Sequence, residues 1–597
     1  MAPGSVRTRQ CGLAAWRQVV SKVLALLAVL AAAIPCVQGA DFGAARPAAP
    51  FQVSRQSIYI PMSDGTRLAA DIFRPSLGGK PVAGSFPVVL HHLAARPPKG
   101  SALDDYRSLR PTAQFLQLAG YGYVYVAVER RGMGASFGVR RGYHDRNEAR
   151  DARELTEWAA AQAWSNGKVG VHGCSNTGDA AMHFLTNASP KLKAVFAGCF
   201  NWDKYSGGLR GGILANWGTG PQSSFEQDMK ATPVDGDDER VLLRQAALQH
   251  QANTPLLDLW AGMPYRDSVS PLTQSAFWQE GSIGTYLEQV RASRVPVYVQ
   301  GGWLDDFRGQ GPITYANLTQ PRKLLIGPWG HCEYDGFDIY AEALRFFDYW
   351  LKDIKNGVME EPPIHYYTMN APAGSEWRSA EQWPPPSATV VSYFFKKDPD
   401  GSQRSHLLDR QAPQAGPGKL SFTVDYAVAC SKGTGLGPTC PQDDKGLTFT
   451  TARLTEDMEL TGFPIVSLWA SFSQADGPIF AYLEDLAPDN SIAMVSEGRL
   501  KASLRALSPA PYAYLGLPWH SYAQADARPL SPGLPENLVF DLLPISYVFK
   551  SGHRLRMTIT GADPREKLRK EFAPAPRWSI HVGAAFPTKI DLPVVAK

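Results

Sequence analysis

A serine set among small residues at the end of a short apolar strand is the first chemistry this sequence offers. Val169-Gly-Val-His172 is expected to form a buried strand, Gly173-Cys-Ser175-Asn-Thr-Gly178 a tight turn, and a helix is expected from about Asp179. On such a strand-turn-helix the serine hydroxyl is lifted off the sheet, beside the unpaired N–H groups that open the helix. The spacing departs from G-x-S-x-G: Gly173 and Ser175 fit, but Thr177 holds the last place and Gly178 comes one residue later. A nucleophilic serine needs a base and a carboxylate to orient that base. Asp305, with Asp306 beside it, follows the apolar strand 295–301, and His331 follows the strand 323–327. Both loops lie at the carboxyl ends of strands, where ligands sit in open α/β sheets. In the chain order Ser, Asp, His, the set Ser175, Asp305 and His331 points to acyl transfer through an acyl-enzyme.

The elements that would hold these residues can be read on either side of them. Residues 57–74 form a hairpin about Asp64-Gly65, with apolar alternation in both arms. Short, wholly apolar strands at 86–90 and 121–128 alternate with helical stretches at 112–118 and 147–162. That alternation indicates a parallel sheet covered on both faces. From 201 to about 293 the pattern changes to crowded Trp, Gly and Pro, with helices at 238–250 and 284–292, as in a helical insertion over the sheet. The sheet resumes at 295 and is closed by a helix at 341–355. Beyond the Pro384-Pro-Pro386 run, strands at 390–395, 420–426, 447–451, 465–471, 479–486, 537–544 and 554–560 are separated by turns, indicating a β-sandwich or jelly roll.

The chain is 597 residues long, 44% hydrophobic and 19% charged, with a formal net charge of +4. Several domains are expected at that length. No basic cluster is dense enough for a nucleic-acid partner. Arg7, Arg9, Arg17 and Lys22 precede an apolar run from Val23 to Ile34, and small residues lead to Gly39-Ala40. This is the pattern of a cleaved export signal over 1–40, so a secreted or periplasmic protein without stable membrane insertion is expected. Cys430 and Cys440 are expected to pair in an oxidising compartment, while the pairing of Cys174, Cys199 and Cys332 stays open. No metal-ligand spacing appears and no cofactor is implied. A homo-oligomer is compatible with the sequence.

Several stretches together resemble the cocaine esterase-like hydrolases, which include α-amino acid ester hydrolases and X-prolyl dipeptidyl aminopeptidases. They are Trp158-Ala-Ala-Ala-Gln-Ala-Trp164-Ser-Asn-Gly-Lys-Val-Gly170, Arg131-Gly132 with Ser136-x-Gly138, Gly302-Trp303-x-Asp305 and Gly327-Pro-Trp329-x-His331. Leu454-Thr-Glu-Asp-Met-Glu-Leu-Thr-Gly462, Glu497-Gly498 and Tyr547-Val-Phe-Lys-Ser-Gly-His-Arg-Leu555 are similar to that family's C-terminal region. The resemblance implies an α/β-hydrolase domain (41–200 and 295–380) with a helical cap (201–294), followed by a jelly-roll domain (381–597). It also selects Asp305 over Asp306.

Two departures bear on the site. The family places tyrosine after the nucleophile, where this chain has Asn176, and an oxyanion tyrosine near the position of Ala95, where it has none. The Asn176 N–H is therefore expected as one oxyanion donor and His92, in preference to His91, as the second. Where the α-amino acid ester hydrolases hold an ammonium group with carboxylates, this chain carries Phe307 and Arg308; these, with Trp303, are expected to face the substrate. The reading is a serine hydrolase of carboxylic esters acting on a small-molecule ester or amide. X-Pro dipeptidyl aminopeptidase or amide acylase chemistry is the second enzymatic reading, and a non-catalytic binding protein stands as the other class.

Overall fold

The computed structural model describes residues 48–96, 111–142, 144–214, 224–414, 416–430 and 440–596. The expected leader at 1–40 lies outside the described residues. The first sheet is built from β1 (Gln52–Pro61), β2 (Arg67–Leu77), β3 (Lys80–Pro81), β4 (Phe86–Leu93), β5 (Val124–Glu129), β6 (Ser165–Cys174), β7 (Leu192–Gly198), β8 (Val297–Gly302), β9 (Arg322–Gly327), β10 (Ile364–Tyr367) and β11 (Trp377–Ala380). Their order is β1-β2-β5-β4-β6-β7-β8-β9-β10-β11, with β3 pairing β2. From β5 to β10 every neighbouring pair is parallel. The outer β1–β2 and β10–β11 pairs are antiparallel.

Period-two alternation sends successive side chains of these strands to opposite faces. Val88, Leu90, Val169 and Val171 pack with Ala152, Leu155 and Ala159 of the helix Arg146–Ala161. Val89, Tyr125, Phe196 and Tyr298 pack with Phe346 and Phe347 of the helix Ile339–Leu351. Both helices begin where an aspartate can satisfy their first free N–H groups. Asp145 accepts from Asn147 and Glu148, and Asp338 accepts from Ala341. The second helix presses on the elbow strand, since a Cβ at Gly170 would lie 2.8 Å from the Phe347 ring. The stretch expected as a helix at 112–118 is a 3-10 helix, Pro111–Tyr121.

Between β7 and β8 the described residues form short helices, among them Lys204–Gly208, Val241–Gln249, Leu256–Ala261 and Leu287–Ser293. Their aromatic residues are mostly interior: Trp202, Tyr205, Trp260, Phe277 and Trp278 are all buried. Trp217 lies outside the described residues. No helix of the described residues is long and apolar enough to cross a membrane.

Residues 388–595 form a β domain of thirteen strands among the described residues. Its core includes Phe395 against Phe449 at 4.3 Å and Phe472 stacked on Trp578 at 4.2 Å. The strands Ile492–Lys501, Ile545–Phe549, Arg577–Val582 and Lys589–Val595 lie outside the stretches whose pattern predicts strands. In the first of them, charged residues occupy buried positions (Glu497, Arg499), which breaks the apolar alternation. Cys430 and Cys440 are joined by a disulfide.

Candidate active site

The elbow is closed by its own side chains. β6 ends at Cys174, and the helix Asn176–His183 begins directly after Ser175. Ser175 takes φ +63° and ψ −131°, a conformation that non-glycine residues seldom adopt outside constrained sites. Its N–H donates to the Gly198 carbonyl at 3.0 Å, and its carbonyl accepts from Asp179 at 2.9 Å. Thr177 stands where the usual motif has glycine, and its hydroxyl has a use there. Thr177 Oγ1 accepts from the Cys174 N–H at 2.9 Å and donates to the Cys174 carbonyl at 2.8 Å. The glycines on either side answer to close backbone contacts. A Cβ at Gly173 would lie 2.0 Å from the Thr177 carbonyl oxygen, and one at Gly178 would lie 2.4 Å from that of Gly198. As the first helical residue, Asn176 presents an N–H with no intrahelical acceptor.

The acid and base loops meet over the ends of β8 and β9. His331 Nδ1 lies 3.0 Å from Asp305 Oδ1, with Asp305 almost wholly buried. The Phe307 N–H donates to the same carboxylate oxygen at 3.2 Å, which holds it in place. The Phe307 ring lies 5.3 Å from the His331 ring, tilted by 44°. His331 Nε2 is buried and bonds no group among the described residues. Asp306 takes a different set of partners. It lies 3.0 Å from Arg210 of the cap and 3.6 Å from Arg499 of the β domain, with Glu497 and Arg565 in the same cluster. Burial alone would raise its pKa, but Arg210, Arg499 and Arg565 outweigh it and hold the carboxyl below its usual range.

A disulfide joins the two loops that carry Ser175 and His331. Cys174 is bonded to Cys332, with Cα atoms 6.0 Å apart across 158 residues of sequence. The third cysteine, Cys199, is buried and free. Its sulfur, an Asp305 oxygen and a His331 ring nitrogen all lie within 4.8 Å of one another. Burial first, and then the Asp305 charge, push the Cys199 thiol pKa well above its ordinary value. Cys199 (φ +49°) and Cys332 (φ +58°) share the left-handed backbone region with Ser175.

The residues expected to face the substrate divide. Trp303 is fully buried, and its indole N–H donates to the Tyr367 carbonyl at 2.5 Å, so it is part of the interior and offers a substrate no surface. Arg308 is also turned inward. It donates to the Trp303 carbonyl and lines a cavity of about 10 Å³ behind the acid loop, room for about one water molecule and not for a substrate carboxylate. Phe307 is buried against His331.

His91 and His92, both on β4, are buried in different surroundings. His91 Nδ1 bonds the Tyr125 hydroxyl at 2.8 Å, and that hydroxyl bonds His172 at 2.7 Å. His92 packs edge-on against Phe184, with its Nε2 buried and unbonded among the described residues. Burial pushes the His92 pKa down to about 3, so the ring is neutral near neutral pH and carries one N–H. Arg131 and Ser136, in the stretch that resembled a family loop, are structural. Arg131 is bonded by Asp151 at 2.6 Å, and the Ser136 hydroxyl donates to the Glu129 carbonyl.

Residues 64–333 match the family model for X-Pro dipeptidyl-peptidase (S15 family), and residues 356–571 match that for the X-Pro dipeptidyl-peptidase C-terminal non-catalytic domain. The chain is 32% identical over 624 residues to a Mycobacterium tuberculosis protein with a provisional serine esterase name, covering 90% of this chain and 95% of that one. It is 25% identical to the cocaine esterase of a Rhodococcus species, covering 91% of this chain and 98% of the relative. A CocE/NonD family hydrolase from Staphylococcus aureus shares the fold, with a TM-score of 0.69 at 20% identity over 90% of this chain and 93% of that one.

Proposed function

The chain belongs to the S15 family of serine hydrolases, and from that premise we propose that it cleaves carboxylic esters through an acyl-enzyme. Ser175 Oγ attacks the ester carbonyl while His331 Nε2 takes its proton. Asp305 holds the Nδ1–H tautomer and stabilises the imidazolium that forms. The Asn176 N–H, with His92 as the second donor, holds the oxyanion. Collapse of the tetrahedral adduct expels the alcohol, to which His331 gives the proton. Water then repeats the sequence on the acyl-enzyme and frees the acid. The observation that carries this reading is the 3.0 Å bond from His331 to Asp305 on a loop covalently tied to the residue before Ser175.

Esters are favoured over X-Pro peptides by the 32% identity to the mycobacterial esterase-named relative, against 21–24% to relatives named as Xaa-Pro dipeptidyl-peptidases. Phe307 and the inward-facing Arg308, where carboxylates would hold a substrate ammonium, point the same way. We also propose export, supported by the basic-then-apolar pattern of the first forty residues and by the two disulfides. The test is a panel of p-nitrophenyl esters set against X-Pro anilides, with fluorophosphonate labelling. Ester turnover with label on Ser175 is the expected result. Anilide turnover exceeding ester turnover would replace the reading with the peptidase one, and absence of both turnover and label would refute it.

A further inference from the structure

The loops bearing Ser175 and His331 extend from β6 and β9, which are three positions apart in the sheet with β7 and β8 between them. At about 4.8 Å per strand, the two strand ends stand roughly 14 Å apart, so no ladder hydrogen bond sets the distance between the loops. The histidine loop must reach back across two strand ends to meet the elbow. Its connection there is covalent: Cys174, immediately before Ser175, is bonded to Cys332, immediately after His331, with Cα atoms 6.0 Å apart. The Tyr334 hydroxyl lies 3.5 Å from Cys174 Sγ, so the same loop also packs on the bond.

We propose that the Cys174–Cys332 disulfide is a positioning element of the Ser175–His331 pair, restricting the histidine loop to arrangements in which Nε2 can take the serine proton. The inference rests on the acyl-enzyme reading above. A bond acting only on stability would sit as well anywhere between the two loops, whereas this one flanks both reacting residues directly. Asp305 fixes the orientation of the ring through Nδ1, and the disulfide fixes where the ring's backbone stands relative to the elbow. Cys199 adds a chemical condition. Its sulfur lies within 4.8 Å of both bonded sulfurs. The thiolate is the form that exchanges with disulfides, and burial first, then the Asp305 charge, oppose ionisation of Cys199. The neighbour that could scramble the bond is thus kept as a thiol.

The decisive variant is Cys174→Ser/Cys332→Ser, since a single substitution would leave a thiol free to pair with Cys199. Assayed well below its melting transition, the double variant is expected to lose about 10- to 100-fold in kcat, with KM within about threefold of the native value. Loss in kcat alone is the mark of fewer correctly placed catalytic groups. In the native enzyme, two thiols of dithiothreitol would reduce the bond to two cysteine thiols and become its cyclic disulfide. Activity should fall by the same factor and return on reoxidation, while the Cys430→Ser/Cys440→Ser variant keeps native kcat. If the double variant does not fold, the reduction experiment decides alone. A double variant with kcat within twofold of native, or a loss that tracks only the unfolded fraction or only KM, overturns the proposal. Fluorophosphonate labelling of the native enzyme separates the two levels. No label on Ser175 defeats the acyl-enzyme reading itself, whereas label with unchanged kcat in the variant defeats only the role of the disulfide.

Discussion

His331 Nδ1 meets Asp305 Oδ1 at 3.0 Å, while the adjacent carboxylate of Asp306 lies 3.0 Å from Arg210. Two neighbouring aspartates on one loop are thereby separated into different environments. One orients an imidazole. The other ties the acid loop to the cap and, through Arg499 and Arg565, to the β domain.

This separation sets the first prediction. Asp305→Asn should lower kcat on the order of 10⁴-fold with the fold intact, because the amide favours the wrong imidazole tautomer. Asp306→Asn should keep most of the turnover but lower the melting temperature, since Arg210 loses a buried charged partner. Parallel measurement of kcat and thermal unfolding checks both halves, and equal kcat losses would exchange the assigned roles.

Ser175→Ala should remove turnover by at least about 10⁴-fold and abolish fluorophosphonate labelling, while circular dichroism stays native. Retention of activity within tenfold would place the nucleophile elsewhere.

The two histidines of β4 should behave differently. His92→Ala is expected to reduce kcat by roughly 10²-fold with little change in KM, as for an oxyanion donor used only in the transition state. His91→Ala should act on stability, because it leaves the buried Tyr125 hydroxyl without its bond to the ring. Unchanged kinetics in His92→Ala would assign the second donor to backbone N–H groups around Ala94 and Ala95.

Glu566 carries a pH prediction. Burial pushes its pKa up to about 7, and its Oε2 is buried without a hydrogen-bond partner among the described residues. The folded state therefore binds this proton more tightly than the unfolded chain. Its contribution is complete below the ordinary carboxylate range near pH 4 and is lost as pH rises through about 7. Glu566→Gln should consequently stabilise the protein at pH 8 by about 2 kcal/mol and by less at pH 5. Melting curves at both pH values test this, and a shift of the same size at each would show that ionisation is not involved.

The outline of the active-site domain was legible because it is written in local pattern. Continuous apolar strands, a serine on a turn between small residues, and loops ending in Asp305 and His331 all depend on neighbours a few residues away. Thr177 shows how local this is: its hydroxyl closes the turn against Cys174, three residues back. What the sequence alone could not settle depends on residues remote in the chain. Trp303 and Arg308 belong to the loop that suggested a substrate role, yet folding turns both inward: Trp303 packs on Trp383 and donates to the Tyr367 carbonyl, and Arg308 donates to the Trp303 carbonyl. The buried charges of Glu497 and Arg499 obscured a strand, and they make sense only beside Arg210 and Asp306, some two to three hundred residues earlier. The pairing of Cys174 with Cys332, leaving Cys199 free, was one of several arrangements of three cysteines. Only the return of the histidine loop across two strand ends, to a Cα separation of 6.0 Å, selected it.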